Sequence, residues 1–366
     1  MSTALDARHM ARALRLAQRG LYTTDPNPRV GCVIVRDGAV VGEGWHARAG
    51  EPHAEVHALQ HAGARARGAT AYVSLEPCCH HGRTPPCSDA LIAAGVARVV
   101  AAMPDPNPKV AGEGAAQLRA AGIEVEIGLM ESAARALNPG FASRMTRGRP
   151  WLRLKLAASL DGRTALADGA SRWITGPAAR RDVQHWRARS SAILTGIGTA
   201  LADDPSLTVR ELDIGRQPAR VVVDSRLRLP AGARLLGLPG QVIVAAAADD
   251  PGRRAALRAT GAEVLNLPDG RGGVDLTALM AALAQRDMNE VLVEAGERLS
   301  GALLAAGLVD ELLLYLAPHA LGSDARGLFA FPALTRMDQR IGLNIVETRM
   351  IGPDLRILAR PVETSR

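Results

Sequence analysis

The chain has 366 residues, a formal charge of +7 and four cysteines, and is 47% hydrophobic but only 3% aromatic. That length admits two domains with Ala, Val and Leu cores, and four cysteines do not make a disulfide framework. Scattered arginines without a basic run or aromatic platform argue against nucleic acid, and the lack of a long apolar stretch or leader-like N-terminus predicts a cytoplasmic protein that binds no membrane.

In chain order, the first half predicts a helix over residues 6–18, then a hairpin whose Asp37-Gly38 turn joins strands V-G-C-V-I-V and A-V-V-G-E. A helix from H-A-E to about Ala64 follows, then strand T-A-Y-V-S-L, a helix over 88–94, strand R-V-V-A-A, a helix over 113–121 and strand I-E-V-E-I. This alternation is a sheet covered by helices, an α/β fold. The stretch N-P-G-F-A-S-R-M-T-R-G-R-P breaks the pattern and reads as a linker, dividing the chain into domains 1–147 and 148–366. The second half restarts with strand W-L-R-L-K-L-A-A, continues through apolar runs A-I-L-T, R-V-V-V-D, V-I-V-A-A and V-L-V-E-A, and ends in a hairpin around I-G-P-D. No internal repeat is evident.

The densest chemistry lies between Pro52 and Cys87, in P-H-A-E and E-P-C-C-H-H-G-R-T-P-P-C. His53, Cys78 and Cys87 supply three zinc ligands and leave the fourth tetrahedral position for water, as a catalytic site requires. Glu55, not itself a ligand, is then the proton carrier, because ammonia leaves only once protonated. On a regular helix residues two apart face different ways, so the His53–Glu55 pair works only at the start of a helix. Cys32 lies in an apolar strand and reads as a core thiol. Cys79, next to a ligand, points away from it, and His80 and His81 are unassigned. An open three-ligand site disfavours a non-enzymatic zinc module.

T-D-P-N-P-R-V-G-C-V-I-V, G-E-G-W-H, P-H-A-E-V-H-A-L, L-E-P-C-C-H-H-G-R-T-P-P-C and D-P-N-P-K-V-A-G-E-G together resemble the deaminase half of the bifunctional riboflavin-biosynthesis deaminase/reductases. The P-C-x8-C spacing differs from the P-C-x-x-C of deaminases acting on nucleosides or RNA bases, which disfavours a nucleoside or RNA-base deaminase with a non-catalytic C-terminal domain. The resemblance implies a cytidine-deaminase-like α/β/α domain that removes an amino group from a 2,5-diaminopyrimidinone bearing a phosphoribosylamino group. It places Asn27 and His46 on the pyrimidine, with Arg83 and Asp105 helping to hold the substrate.

The second half, through K-L-A-A-S-L-D-G-R-T-A, S-R-W-I-T-G, R-R-D-V-Q-H-W-R-A, T-G-I-G-T-A-L-A-D-D-P-S-L-T-V-R, V-V-V-D-S and V-E-A-G-E-R-L-S-G-A-L-L, resembles the reductase half of the same family, whose fold is similar to dihydrofolate reductase. Gly196 and Gly198 lack the third glycine of G-x-G-x-x-G, because position 201 is Leu, so no Rossmann fingerprint is present. The resemblance implies NADPH as cofactor, lined by Ala157, Trp173, Thr199, Asp203, Ser225 and the loop Gly296, Glu297, Arg298, Leu299, Ser300, Gly301 and Ala302. Ser171, Arg187, Leu207, Arg210 and Glu294 then line the substrate, the arginines gripping its 5-phosphate. Gly296 begins a strand-to-helix turn with amides suited to a phosphate. Asp161 is either structural or near the hydride site. The family also implies a homo-oligomer, a dimer or larger.

Overall fold

The computed structural model describes residues 3–79, 85–108 and 110–362, and the chain divides into two compact units, 1–149 and 150–366. In the first unit, α1 (Ala4–Gln18) starts at a capping box in which Thr3 and Asp6 satisfy each other's backbone amides. Strands β1 (Gly31–Arg36) and β2 (Ala39–Trp45) form the expected hairpin. Asp37 and Gly38 both have positive φ, 52° and 75°, as a two-residue turn matching strand twist demands. Helix α2 (Ala54–Ala62), β3 (Thr70–Val73), α3 (Cys87–Ala94), β4 (Arg98–Ala101), α4 (Glu113–Ala120) and β5 (Glu124–Ile127) complete a five-stranded sheet of order β2-β1-β3-β4-β5. Strand β1 runs antiparallel to β2 and β3, while β3, β4 and β5 are parallel.

Small residues decide how closely the helices approach this sheet. A Cβ on Gly42 would lie 2.2 Å from the Ala58 carbonyl oxygen, and one on Gly44 would lie 2.3 Å from that of Ala54. Helix α2 therefore rests directly on the β2 backbone, and Ala54, Ala58 and Ala62 are buried in the contact.

The segment read as a linker is not one. It forms α6 (Pro139–Arg147), directly after α5 (Glu131–Leu137), and α6 buries Phe141 and Ser143 in the first unit. Pro139 at the first helical position and Gly148 beyond the last, with φ 64°, are start and stop signals that the Pro/Gly/Arg composition masked.

The second unit contains β6 (Trp151–Ser159), β7 (Arg163–Ala165), α7 (Pro177–Arg189), β8 (Ala192–Gly196), α8 (Ile197–Asp203), β9 (Ala219–Val223), β10 (Val242–Ala246), α9 (Pro251–Ala259) and β11 (Glu263–Asn266). Then come α10 (Leu276–Ala284), β12 (Glu290–Val293), α11 (Glu297–Ala305), β13 (Glu311–Ala317), β14 (Arg326–Gly327), β15 (Leu343–Ile351) and β16 (Asp354–Pro361). The large sheet has order β11-β10-β9-β8-β12-β6-β13-β16-β15, parallel through β13 and closed by the expected antiparallel C-terminal hairpin. Its apolar faces pack against helices: Leu152, Leu154 and Leu156 share one core with Leu279, Leu283 and Leu303, while Ile193, Val222 and Val244 share another with Ile197 and Leu257.

Beneath the sheet, Arg153 is buried between Glu311 (2.6 Å) and Glu290 (3.0 Å), and Arg189 adds a second cation to Glu290 at 2.9 Å. Removing one member of such a buried set costs about 3–5 kcal/mol, because the partner is left charged and unpaired. No helix is long and apolar enough to cross a membrane among the described residues.

Candidate functional sites

In the first unit, His53 is the N-cap of α2, with extended φ −76° and ψ 168°, and Glu55 lies in the first helical turn. This resolves the facing problem, since the residue before the helix is free of its 3.6-residue period. Cys87 opens α3, and Cys78 follows β3. His53 Nδ1 lies 3.2 Å from Cys87 Sγ and 3.6 Å from Cys78 Sγ, and all three donor atoms fall within 4.8 Å of one another. Tetrahedral zinc with ordinary Zn–N and Zn–S bonds separates N and S ligands by about 3.6 Å, so the donor set fits that ion. Among the described residues it is the only cluster of its kind.

The electrostatics of the metal-free cluster describe a site built for a cation. The Cys78 thiol is brought down to about 4, first by a hydrogen bond from Cys87 and also by His53, whereas Cys87, its hydrogen bonded to Cys78 and its side chain buried, is pushed far up. Burial pushes the Glu55 carboxyl up to about 7, helped by the charge on Cys78, and its Oε2 has no hydrogen-bond partner. A buried acceptor left unsatisfied beside three metal donors is expected where a water or substrate completes the site.

Asn27 and His46 adjoin this cluster. The His46 ring meets His53 edge-on at 5.1 Å, its Nδ1 lies 3.2 Å from the Pro52 carbonyl, and its Nε2 lies 3.0 Å from Asn27 Nδ2. Burial holds the His46 pKa down, so the ring is neutral; Nδ1–H donates to Pro52 and Nε2 accepts from Asn27. The Asn27 carbonyl oxygen is then the group offered to a ligand. Asp105 is buried, and burial pushes its carboxyl up to about 7 despite the hydrogen bond it accepts from the Asn107 amide. Arg83, His80 and His81 lie outside the described residues. Cys79 is partly exposed and is not one of the clustered donors.

Sequence reasoning passed over Glu76, although it opens the E-P-C-C motif. Its buried carboxylate accepts from the amides of Asp105 (3.1 Å), Gly112 (3.1 Å) and Ala115 (3.0 Å), binding the Asp105 loop and the start of α4 to the residues that carry Cys78. The only signal for it was a charged residue inside an otherwise apolar strand end.

In the second unit, two helix N-termini converge at the carboxyl ends of the adjacent strands β8 and β12. A Cβ on Gly196 would lie 3.3 Å from Leu299, and one on Gly296 would lie 3.8 Å from Thr199 Oγ1. Gly296 is the N-cap of α11, so the first amides of that helix point out of the expected cofactor loop. A cradle lined by amides, with glycine where bulk would fill it, fits a dinucleotide phosphate. Thr199 and Asp203 lie on α8, Ser225 follows β9, and Ala157 lies on β6. Ser171 and Trp173 share the loop before α7; Trp173 is 69% exposed, with Arg180 stacked over its ring at 4.4 Å. Arg172 reaches Asp203 at 3.5 Å, tying that loop to α8.

Arg187 and Glu294 form a bidentate pair at 2.6 and 2.9 Å, and Arg187 also donates to the Thr208 carbonyl. Arg187, expected to grip phosphate, is therefore held by Glu294 and tied to the loop carrying Leu207 and Arg210. Lys155, also overlooked, stands on the same β6 face as Ala157, two residues away, and is charge-coupled to Glu294. Burial lowers the Lys155 pKa, Glu294 partly opposing it. Asp161 accepts from the Ser159 hydroxyl and from the Leu321 (3.1 Å) and Gly322 (2.9 Å) amides, so it ties the β6–β7 turn to a distant loop.

Comparison with known proteins matches residues 3–103 to the family described as cytidine and deoxycytidylate deaminase zinc-binding region and residues 150–357 to the RibD C-terminal domain. The riboflavin biosynthesis protein RibD of Escherichia coli is 56% identical over 362 residues, covering 96% of this chain and 98% of that protein. The chain belongs to the RibD family. The Haemophilus influenzae RibD is 46% identical, covering 97% of each chain. The solved Acinetobacter baumannii RibD superposes with a TM-score of 0.92 at 48% identity, covering 98% of this chain and 99% of that one. A Thermotoga maritima structure, titled a diaminohydroxyphosphoribosylaminopyrimidine deaminase/5-amino-6-(5-phosphoribosylamino)uracil reductase, matches with a TM-score of 0.86 at 33% identity over 98% and 99% of the two chains. Within the RibD family the chain is a bifunctional enzyme of riboflavin biosynthesis, a zinc deaminase and an NADPH-dependent reductase, with a cytidine-deaminase-like domain followed by a dihydrofolate-reductase-like one.

Proposed function

We propose that unit 1 hydrolytically deaminates 2,5-diamino-6-(5-phosphoribosylamino)pyrimidin-4-one and that unit 2 reduces the ribosyl chain of the product to ribityl. The observation that carries the first step is the open three-donor cluster with the unpartnered Glu55 Oε2 beside it. Zinc held there supplies the Lewis acidity that makes water a nucleophile at neutral pH. Glu55 moves the protons, from the attacking water to the ring nitrogen and then to the departing amine. Asn27 presents its carbonyl oxygen to the pyrimidine edge, with His46 fixing the amide's orientation, and Asp105 and Arg83 help to hold the ribotide.

For the second step NADPH supplies hydride. Ala157, Trp173, Thr199, Asp203 and Ser225 would hold it, and the amides of the Gly296–Ala302 turn would take its phosphate. Reduction also requires one proton, and its delivery is assigned to Lys155, which shares the β6 face of Ala157 and interacts electrostatically with Glu294. Arg210 is the cation for the 5-phosphate, Ser171 and Leu207 line the substrate, and Arg187 holds Glu294. The enzyme acts as a homo-oligomer, a reading supported by the edge strand β15, which exposes Ile345, Val346 and Met350. Free thiols at Cys78 and Cys87 need a reducing compartment, which supports a cytoplasmic location.

One assay tests both steps. With the diaminopyrimidinone ribotide, one NADPH should be oxidised for each ammonia released. Ammonia release without NADPH oxidation, in the presence of both, would leave a deaminase with a non-catalytic second unit.

A further inference from the structure

Residues 104–149 lie between the two matched family regions, and Asn138 sits within them at the junction of α5 and α6. Asn is a preferred N-cap because its side chain can accept an amide of the following helix. Asn138 occupies the N-cap position of α6 and makes no such bond. Its buried amide group pairs instead with the backbone of a residue 109 positions away: Oδ1 accepts from the Arg29 amide at 2.8 Å, and Nδ2 donates to the Arg29 carbonyl at 2.9 Å. Arg29 returns the contact, donating through Nη1 to the Leu137 carbonyl at 2.8 Å.

The clasped residue leads directly to the deaminase site. Val30, next in the chain, accepts the His46 amide at 2.9 Å, and Asn27, two residues earlier, donates to the His46 ring. Asn27, which faces the pyrimidine, and His46, which orients it, thus hang from a backbone that Asn138 holds on both its polar groups. None of the bonds from Asn138 reaches His53, Glu55, Cys78 or Cys87.

We propose that Asn138 is a positioning residue for the deaminase, setting the Asn27–His46 arm that binds the pyrimidine. The junction of α5 and α6 on this account supports the substrate site and is not a connector. The proposal rests on the pyrimidine reading of Asn27 and His46 given above.

The test uses the full chain carrying N138A, compared with wild type for zinc content, deamination kcat and KM, and reduction of supplied deaminated ribotide. Loss of binding that is equal in ground and transition states raises KM and leaves kcat in place. The expected result is a full zinc complement, unchanged reduction, a KM for deamination raised tenfold or more, and a kcat within about threefold, in keeping with that rule. A destabilised fold alone would lower the active, zinc-loaded fraction and thus kcat, with KM unmoved. A zinc-loaded N138A with wild-type KM overturns the proposal. N138D keeps the acceptor for the Arg29 amide but sets a carboxylate oxygen against the Arg29 carbonyl, so its KM should rise at least as far as that of N138A; where N138A fails to load zinc, N138D decides, and a wild-type KM there overturns the proposal equally. Wild-type protein inert towards the ribotide would instead overturn the reading of the site itself.

Discussion

At Glu55 the chemistry comes down to one side chain. Its carboxyl is buried, raised to about 7 and placed two residues after a metal donor, whereas Gln would keep the shape and lose the transferable proton. E55Q should therefore retain zinc and the reductase step while deamination falls by about 100-fold or more, the usual worth of a positioned acid–base group. Metal analysis beside an ammonia assay checks this, and deamination surviving within tenfold would assign proton transfer elsewhere. The ligands and Glu55 were legible in the sequence because thiols are rare in this chain and the spacing is dense. Glu76 and Asn138 were not, because each acts through backbone groups 29 to 109 residues distant, and a carboxylate or amide that binds backbone leaves no partner side chain to recognise.

At the scale of elements, the joint between α1, β3 and β4 carries a charge whose cost of burial is outweighed by its bonds. Burial raises the Asp6 carboxyl, but hydrogen bonds from Tyr72 (2.6 Å), the Thr3 amide (2.7 Å) and Arg98 (2.9 Å) hold it well below the usual carboxylate range. A depressed folded pKa contributes stability that is complete above the unfolded value of about 3.9 and disappears as pH falls through the folded value. D6N should be less stable than wild type at pH 7 by about 1.5–3 kcal/mol, the range for hydrogen bonds to a charged group. In thermal unfolding of both proteins the difference should shrink steadily below about pH 4, in line with that unfolded value; a gap that stays constant down to pH 3 would remove Asp6 ionisation from the account. Strand and helix positions here were read well from periodicity. The errors fell where composition resembled a loop, at α6, and where an unbroken apolar run such as L-L-L-Y-L in β13 offers no period to read.

For the whole molecule, the division follows Arg149, after α6 and its anchoring bond from the Ser143 hydroxyl to the Arg149 carbonyl at 2.7 Å. A cut between residues 149 and 150 should release two folded fragments, because each unit has its own sheet and core. Fragment 1–149 should bind about one zinc and release ammonia from the ribotide, as a three-ligand catalytic site implies. Fragment 150–366 should oxidise NADPH only when given the deaminated product. A folded 150–366 that binds no NADPH would withdraw the reductase assignment from that unit.

The contact of α2 on Gly42 and Gly44 bears on how this enzyme could change. With no side chain on the strand and small ones from the helix in the contact, there is little to trim and no room to enlarge, so His53 and Glu55 are not readily moved relative to the sheet by exchanging a spacer. The loops that bear Asn27 and Asp105 are held instead by single side chains, Asn138 through the Arg29 backbone and Glu76 through the Asp105 amide. New amino-substituted rings would therefore be accommodated by redrawing the loops opposite α2, and the hydrolytic chemistry would pass unaltered from one substrate to the next.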